Sequence, residues 1–234
     1  MSINSSRQRI LQKIAEAGRK RPVSAKVLNL NSEEIYKSIL PDTVTCFKTE
    51  LELINGQCIL CEDELDLFTK LKSFVQQNNF PFLYCLDSYI TNQLKAHIIP
   101  FSKDESDFGI MLAGITGCEF LVASTGSILV SSASESGRQM NVFPPVHIVL
   151  AKISQLVNYP EEAYVAIQEK YGDLLPSVIS TITGPSRTAD IEKTLVLGAH
   201  GPKEFVVFLC KVYSFAIFVS SYFTFFSNFL NLQF

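Results

Sequence analysis

Between Ile110 and Ser132 the chain is nearly uncharged and punctuated by glycine, with apolar runs at Ile110–Ala113, Phe120–Ala123 and Ile128–Val130. Runs this short that do not alternate apolar with polar residues fit strands covered on both faces, the condition of a sheet packed between layers. Further runs of the same kind stand at Gln57–Cys61, Phe82–Leu86, Val146–Ala151, Val178–Thr183 and Phe205–Cys210. Helical stretches separate them. Ile10, Leu11, Ile14 and Ala17 recur at helical spacing and Gly18 closes that helix, while Ser32–Leu40 is stopped by Pro41 and Asp42–Ile54 by Asn55-Gly56. Glu62–Gln77 carries Leu65, Phe68, Leu71 and Val75 on one face, and Ser88–Ala96, Pro160–Tyr171 and Ala189–Leu197 complete the helical set. Alternation of the two periods predicts an α/β domain with a largely parallel central sheet flanked by helices.

Charge divides the chain into three parts. The 20 Lys and Arg and 23 Asp and Glu all lie before Val212, and the 23 residues after Lys211 hold seven of the 18 Phe. Residues 1–30 read as a basic helix or arm, in which Arg7, Arg9, Lys13, Arg19, Lys20, Arg21 and Lys26 face only Glu16. Residues 31–210 read as the α/β domain, and residues 211–234 as an uncharged, Phe-rich tail. The tail is long enough to cross a bilayer, but Ser214, Ser220, Ser221, Thr224, Ser227 and Asn228 interrupt it and no basic cluster flanks it. Three readings stand for 212–234: an appended segment without function, a membrane or partner anchor, and a strand or helix packed on the body. No apolar segment of signal-peptide type follows the basic start, which predicts a cytoplasmic body. A net charge of −3 and a pI of about 5.7 give no electrostatic case for nucleic acid.

Cys58 and Cys61 form a C-x-x-C, the spacing of redox and metal motifs. On a strand, however, positions three apart point to opposite faces. Cys46, Cys85, Cys118 and Cys210 supply no second pair at close spacing, so the reading is buried thiols, no metal and no cofactor within this chain.

The segment Thr183-Gly184-Pro185-Ser186-Arg187-Thr188 lies between a buried strand and a predicted helix, the edge of an open α/β sheet where ligands bind. Gly184 allows close backbone approach, Ser186 and Thr188 offer hydroxyls, and Arg187 offers a fork for carboxylate or phosphate. The following helix N-terminus would favour an anion. The same residues also read as a helix cap, with Arg187 pairing Asp190 or Glu192. Thr125, Gly126 and Ser127 form a small polar turn between two strands that fits the same cleft, and Arg138 follows in the Ser131–Gly137 loop. His147 and His200 stand at element boundaries and are the candidate proton carriers, with a structural histidine as the alternative at each. The acidic Glu62-Asp63-Glu64 and Asp66 sit at a helix start and need no catalytic reading.

Gly184-Pro185-Ser186-Arg187-Thr188-Ala189-Asp190-Ile191-Glu192 followed by Gly198-Ala199-His200-Gly201-Pro202 resembles the signature of the LUD-domain family. The resemblance takes in Thr125-Gly126-Ser127, Arg138 and Pro144-Pro145-Val146-His147-Ile148, and covers roughly residues 5–210. It implies a fold related to the sugar-isomerase and CoA-transferase superfamily. It also implies a part in bacterial oxidation of L-lactate to pyruvate beside iron–sulfur partner proteins, as a non-redox accessory or regulatory subunit with a cleft for a small anion. The alternative it leaves is an enzyme acting on a small carboxylate, sugar phosphate or CoA ester.

Overall fold

The computed structural model describes residues 6–19, 38–189, 195–197 and 201–211. The chain divides into two units, one over residues 1–36 and one from Lys37 onward. In the first, α1 spans Ser6–Arg19, and Gln12 Nε2 donates to Glu16 Oε1 one turn on at 3.1 Å.

The second unit begins its regular structure with α2, Thr43–Leu53. Asp42 sets its start: Oδ1 accepts from the Val44 and Thr45 amides and Oδ2 from the Thr45 hydroxyl, satisfying N–H groups the helix cannot. The Thr45 hydroxyl bond, helped by the Thr45 amide, holds that carboxyl below the usual carboxylate range. Strand β1 follows at Gln57–Cys61, α3 at Glu64–Gln77, β2 at Leu83–Tyr84, α4 at Ser88–Ala96 and β3 at Phe101–Ser102. Strands β4 (Ala113–Thr116), β5 (Phe120–Val122), β6 (Ser127–Ser131), β7 (Val146–Lys152) and β8 (Leu156–Val157) precede α5 (Pro160–Tyr171). The chain continues through β9 (Ile179–Ile182), β10 (Arg187–Ala189), β11 (Leu195–Leu197) and β12 (Glu204–Cys210).

Six strands in the order β1-β12-β7-β4-β2-β3 form a sheet in which every neighbouring pair is parallel. The predicted α/β architecture with a parallel central sheet is therefore observed. On one face, Cys61, Ile115, Ile148, Leu150 and Phe208 pack against Leu67, Phe68 and Leu71 of α3 and Ile90 and Leu94 of α4. On the other, Cys58, Val149, Ala151, Val207 and Leu209 meet Phe47 and Leu51 of α2 and Leu121, Ile128 and Val130. Cys58 and Cys61 thus lie in different cores on opposite sides of β1, as strand geometry requires.

A second sheet, β8-β5-β6-β9, supplies those last residues and is mixed, with β5/β6 and β6/β9 antiparallel and β5/β8 parallel. Its far face, with Val122 and Leu129, buries Ala163 and Ile167 of α5. The apolar runs Phe120–Ala123, Ile128–Val130 and Val178–Thr183 therefore belong to this sheet and not to the parallel one. Phe120–Ala123 and Ile128–Val130 are covered on both faces and carry no alternation, so periodicity alone does not separate the two placements, while Val178–Thr183 lies at the sheet's edge and is half-buried.

The helix expected over Ala189–Leu197 is replaced by an antiparallel pair, β10 with β11, in register from Arg187 opposite Leu197 to Ala189 opposite Leu195. Thr188, Thr194 and Val196 are β-branched, and that content favours a pleated chain over the weak helical period. Of the helix expected over Ser32–Leu40, residues 38–40 are irregular and the remainder lie outside the described residues. The tail 212–234 also lies outside them. Among the described residues no helix is long and apolar enough to cross a membrane.

Candidate functional site

The residues singled out in the sequence fall into separate places. His147 is on β7 opposite Gly114 and Phe205, and it is fully buried. Its Nε2 lies 2.8 Å from the Thr116 hydroxyl, its ring meets Phe205 edge-on at 5.4 Å, and its Nδ1 has no hydrogen-bond partner among the described residues. Burial without a counter-charge pulls the imidazole down to about 4, so it is neutral at pH 7.

Thr125, Gly126, Ser127 and Gly184 come together over the second half of α2. Ser127 Oγ and Thr183 Oγ1 are 2.8 Å apart. Gly126 has φ +61°, and a Cβ there would stand 2.3 Å from the Leu51 amide nitrogen. Gly184 crosses the end of the same helix, where a Cβ would be 2.8 Å from the Ile54 carbonyl. Both glycines are thus spent on close approach to helix backbone, and the Ser124 and Thr125 hydroxyls are buried beside them without a partner among the described residues. Ser186 N donates to the Pro202 carbonyl at 2.8 Å, and Arg187 is exposed at the start of β10. No described helix follows this segment, so the anion site expected at a helix N-terminus has no place there. Only the backbone of Thr188 is described, and His200 lies outside the described residues. Arg138 sits at the other end of the β6/β9 ladder, where its Nη2 donates to Ser177 Oγ at 2.6 Å.

A crevice that sequence reasoning missed opens at the carboxyl edge of the parallel sheet. Strand β2 pairs with β4 only through Leu83 and Tyr84, then leaves for α4, while β4 runs on to Thr116 beside β7. The chain after β2 crosses to one face and the chain after β4 to the other, which is the strand-order reversal where open α/β sheets take ligands. Two cavities of about 230 Å³ each adjoin Gly117 and Cys118 there, and Asp87 lines both.

In the first cavity, toward β6 and α5, Glu119 is the central group. Its carboxylate accepts from Ser131 Oγ at 2.6 Å and from Tyr171 Oη and Lys170 Nζ at 2.7 Å each. Burial pushes this carboxyl up, but the three donors outweigh it and hold it below the usual range. Glu119 is therefore a satisfied anion that ties β6 to α5. The second cavity lies between β7 and α4, lined by Tyr89, Ile90, Leu150, Lys152 and Gln155. Lys152 ends β7, and burial lowers its ammonium below the ordinary lysine value while the nearby Glu64 offsets part of that. Glu64 in turn accepts from Tyr89 Oη at 2.6 Å. Asp87 Oδ1 caps α4 by accepting from Ile90 N at 2.9 Å, and Glu135 Oε2 takes the Ser88 amide at 2.7 Å. The sequence signal that would have found it is Lys152, the single charge closing the Val146–Ala151 run at the strand's carboxyl end. Among the described residues no group of three or more His, Cys, Asp or Glu is placed to hold a metal.

Fold and crevice together define an α/β protein with cavities at the carboxyl edge of a parallel sheet. Residues 44–210 match the LUD domain, and the chain belongs to the LUD domain family. A lactate utilization protein C from Bacillus licheniformis is 37% identical over 91 residues, 38% of each chain. Lactate utilization protein C 1 from Bacillus mycoides is 30% identical over 140 residues, 56% of this chain and 60% of the relative. The chain thus spans less than two thirds of the length of either relative. The solved structure of a DUF162 family protein from Deinococcus radiodurans matches with a TM-score of 0.55 at 15% identity, covering 72% of this chain and 96% of that one. That likeness is one of fold.

Proposed function

We propose that this protein is a cytoplasmic component of bacterial L-lactate utilization, the oxidation of L-lactate to pyruvate, acting beside iron–sulfur partner proteins as a non-redox subunit. The observation that carries the proposal is the LUD domain match over residues 44–210, together with relatives named for lactate utilization. Cys58 and Cys61 supply no shared cluster ligand set, because β1 sends them to opposite cores. That geometry supports a division of labour in which the partners carry the electrons and this chain carries no cofactor. The carboxyl-edge crevice favours a second reading, an enzyme acting on a small carboxylate, sugar phosphate or CoA ester. Co-purification with the partners and no turnover by the isolated chain supports the first; turnover by the isolated chain supports the second. Deleting the gene tests the pathway itself: growth on L-lactate is lost and returns with the intact gene. Normal growth on L-lactate in a deletion strain with no second copy overturns the proposal.

A further inference from the structure

We propose that the slot between β9 and the 138–142 turn binds a short-chain alkyl carboxylate of roughly four to six carbon atoms, its carboxylate on Arg138 and its alkyl chain along β9. The inference rests on the lining of this slot and on no part of the lactate proposal.

Strand register builds the floor of the slot. Val130 of β6 lies opposite Ser180 of β9, and Val178 and Ile182 stand two residues to either side of Ser180, so all four share one face of the mixed sheet. Val130 and Ile182 pack toward the parallel sheet, which identifies that face. Asn141 and Val142, from the turn that follows Arg138, complete the lining. The space is about 230 Å³, and at about 30 Å³ per water in the liquid it takes a ligand of roughly eight non-hydrogen atoms. Three valines and an isoleucine call for an apolar body, whereas the polar groups call for an anion. Arg138 is the charged group among the described lining residues. It spends one donor on Ser177 Oγ, a neutral acceptor, and keeps the rest of its fork for a ligand. The Asn141 amide and the Ser180 hydroxyl make no hydrogen bond among the described residues, and each can donate to the same anion. No Asp or Glu is among the described lining residues. Glu135, on the same loop, holds the Ser88 amide, and Glu119, bonded to the lining Ser131, is already met by Lys170 and Tyr171. One guanidinium without a second cation matches a carboxylate and leaves the second charge of a phosphate dianion unanswered.

The full chain is titrated by calorimetry or ligand-observed NMR with hexanoate, with hexanamide, which lacks the charge, and with acetate, which lacks the chain. Saturable hexanoate binding is expected. Hexanamide is weaker by roughly tenfold or more, the size of one charge-assisted hydrogen bond, and acetate by roughly a hundredfold, the worth of about four methylenes. Arg138→Met, checked for native circular dichroism, loses as much as hexanamide does. Ser177→Ala breaks the same Arg138 hydrogen bond but keeps the guanidinium, so it retains most of the affinity. Absence of saturation, equal binding of hexanamide and hexanoate, or equal losses in Arg138→Met and Ser177→Ala overturns the site. Hexyl phosphate or L-lactate bound more tightly than hexanoate overturns the ligand class. A deletion strain that cannot use L-lactate, paired with a purified protein that does not bind hexanoate, removes this site and leaves the pathway reading. Arg138-dependent hexanoate binding in a protein whose loss leaves growth on L-lactate normal does the reverse.

Discussion

His147 is the source of acid sensitivity in this fold that one substitution isolates, beside carboxylates such as Asp42 and Glu119 that the native chain also holds below their usual range. The imidazole is wholly enclosed, bonded only to the Thr116 hydroxyl among the described residues, and faces Phe205 edge-on. An unfolded histidine takes its proton near pH 6.5, whereas this one holds out to about 4 because a buried imidazolium would lack both water and an anion. Between those values the unfolded chain binds a proton that the native chain refuses, so stability falls as pH falls. At about 1.4 kcal/mol per pH unit the loss reaches about 3 kcal/mol near pH 4, and above pH 6.5 the group contributes no slope. Against the roughly 5–15 kcal/mol of an ordinary domain, this is a large share. His147→Gln keeps an amide for Thr116 and removes the titration. Urea unfolding of both proteins from neutral pH down to about pH 4 isolates the term, since the carboxylates titrate alike in the two. The difference between wild type and variant is expected to move by about 3 kcal/mol against the wild type across that window. Parallel profiles refute the reasoning, because they mean the native imidazole accepts its proton as readily as the unfolded one.

Gly126→Ala is expected to lower the melting temperature well beyond Gly137→Ala. Both have positive φ, but the new methyl meets the Leu51 backbone at Gly126 and nothing within 4 Å at Gly137, so equal shifts would discount the α2 contact. The left-handed backbone alone costs about 1–2 kcal/mol at each position. Burial pushes the Cys58 and Cys61 thiols up to about 12, so a disulfide-exchange reagent at neutral pH leaves both unlabelled until the protein is denatured. Fast native labelling of either would show that β1 is not buried as described.

The local order of the chain was open to reading wherever one segment decides its own state. Asp42 announces a helix that it then caps, Pro160–Tyr171 is the bounds of α5, and Gln57–Cys61 is β1 with its two thiols parted. Partner choice was not open in the same way. Val130 and Val149 sit in equally apolar runs, yet one lies in the mixed sheet and the other in the parallel sheet facing it. Thr125, Gly126, Ser127 and Gly184 form a polar-looking set because their smallness serves contact with α2, a purpose a sequence motif does not distinguish from ligand contact. Asp87 and Tyr89 share a cavity with Lys152 from two segments far apart in the chain, and no local spacing joins the two.

The place of β12 has a consequence for how the chain reaches its fold. Strand β1 has β12 as its sheet neighbour, with Gln57 beside Val206, and β12 also separates β1 from β7. During synthesis β1 and one side of β7 must wait unpaired until Glu204–Cys210 has left the ribosome, with the apolar faces of Cys58, Leu60 and Val149 uncovered meanwhile. Closing a loop of that length is slow, and bare strand edges invite pairing between chains. The last described strand is therefore the keystone of the sheet, and a nascent chain stalled before it is the form most in need of a chaperone.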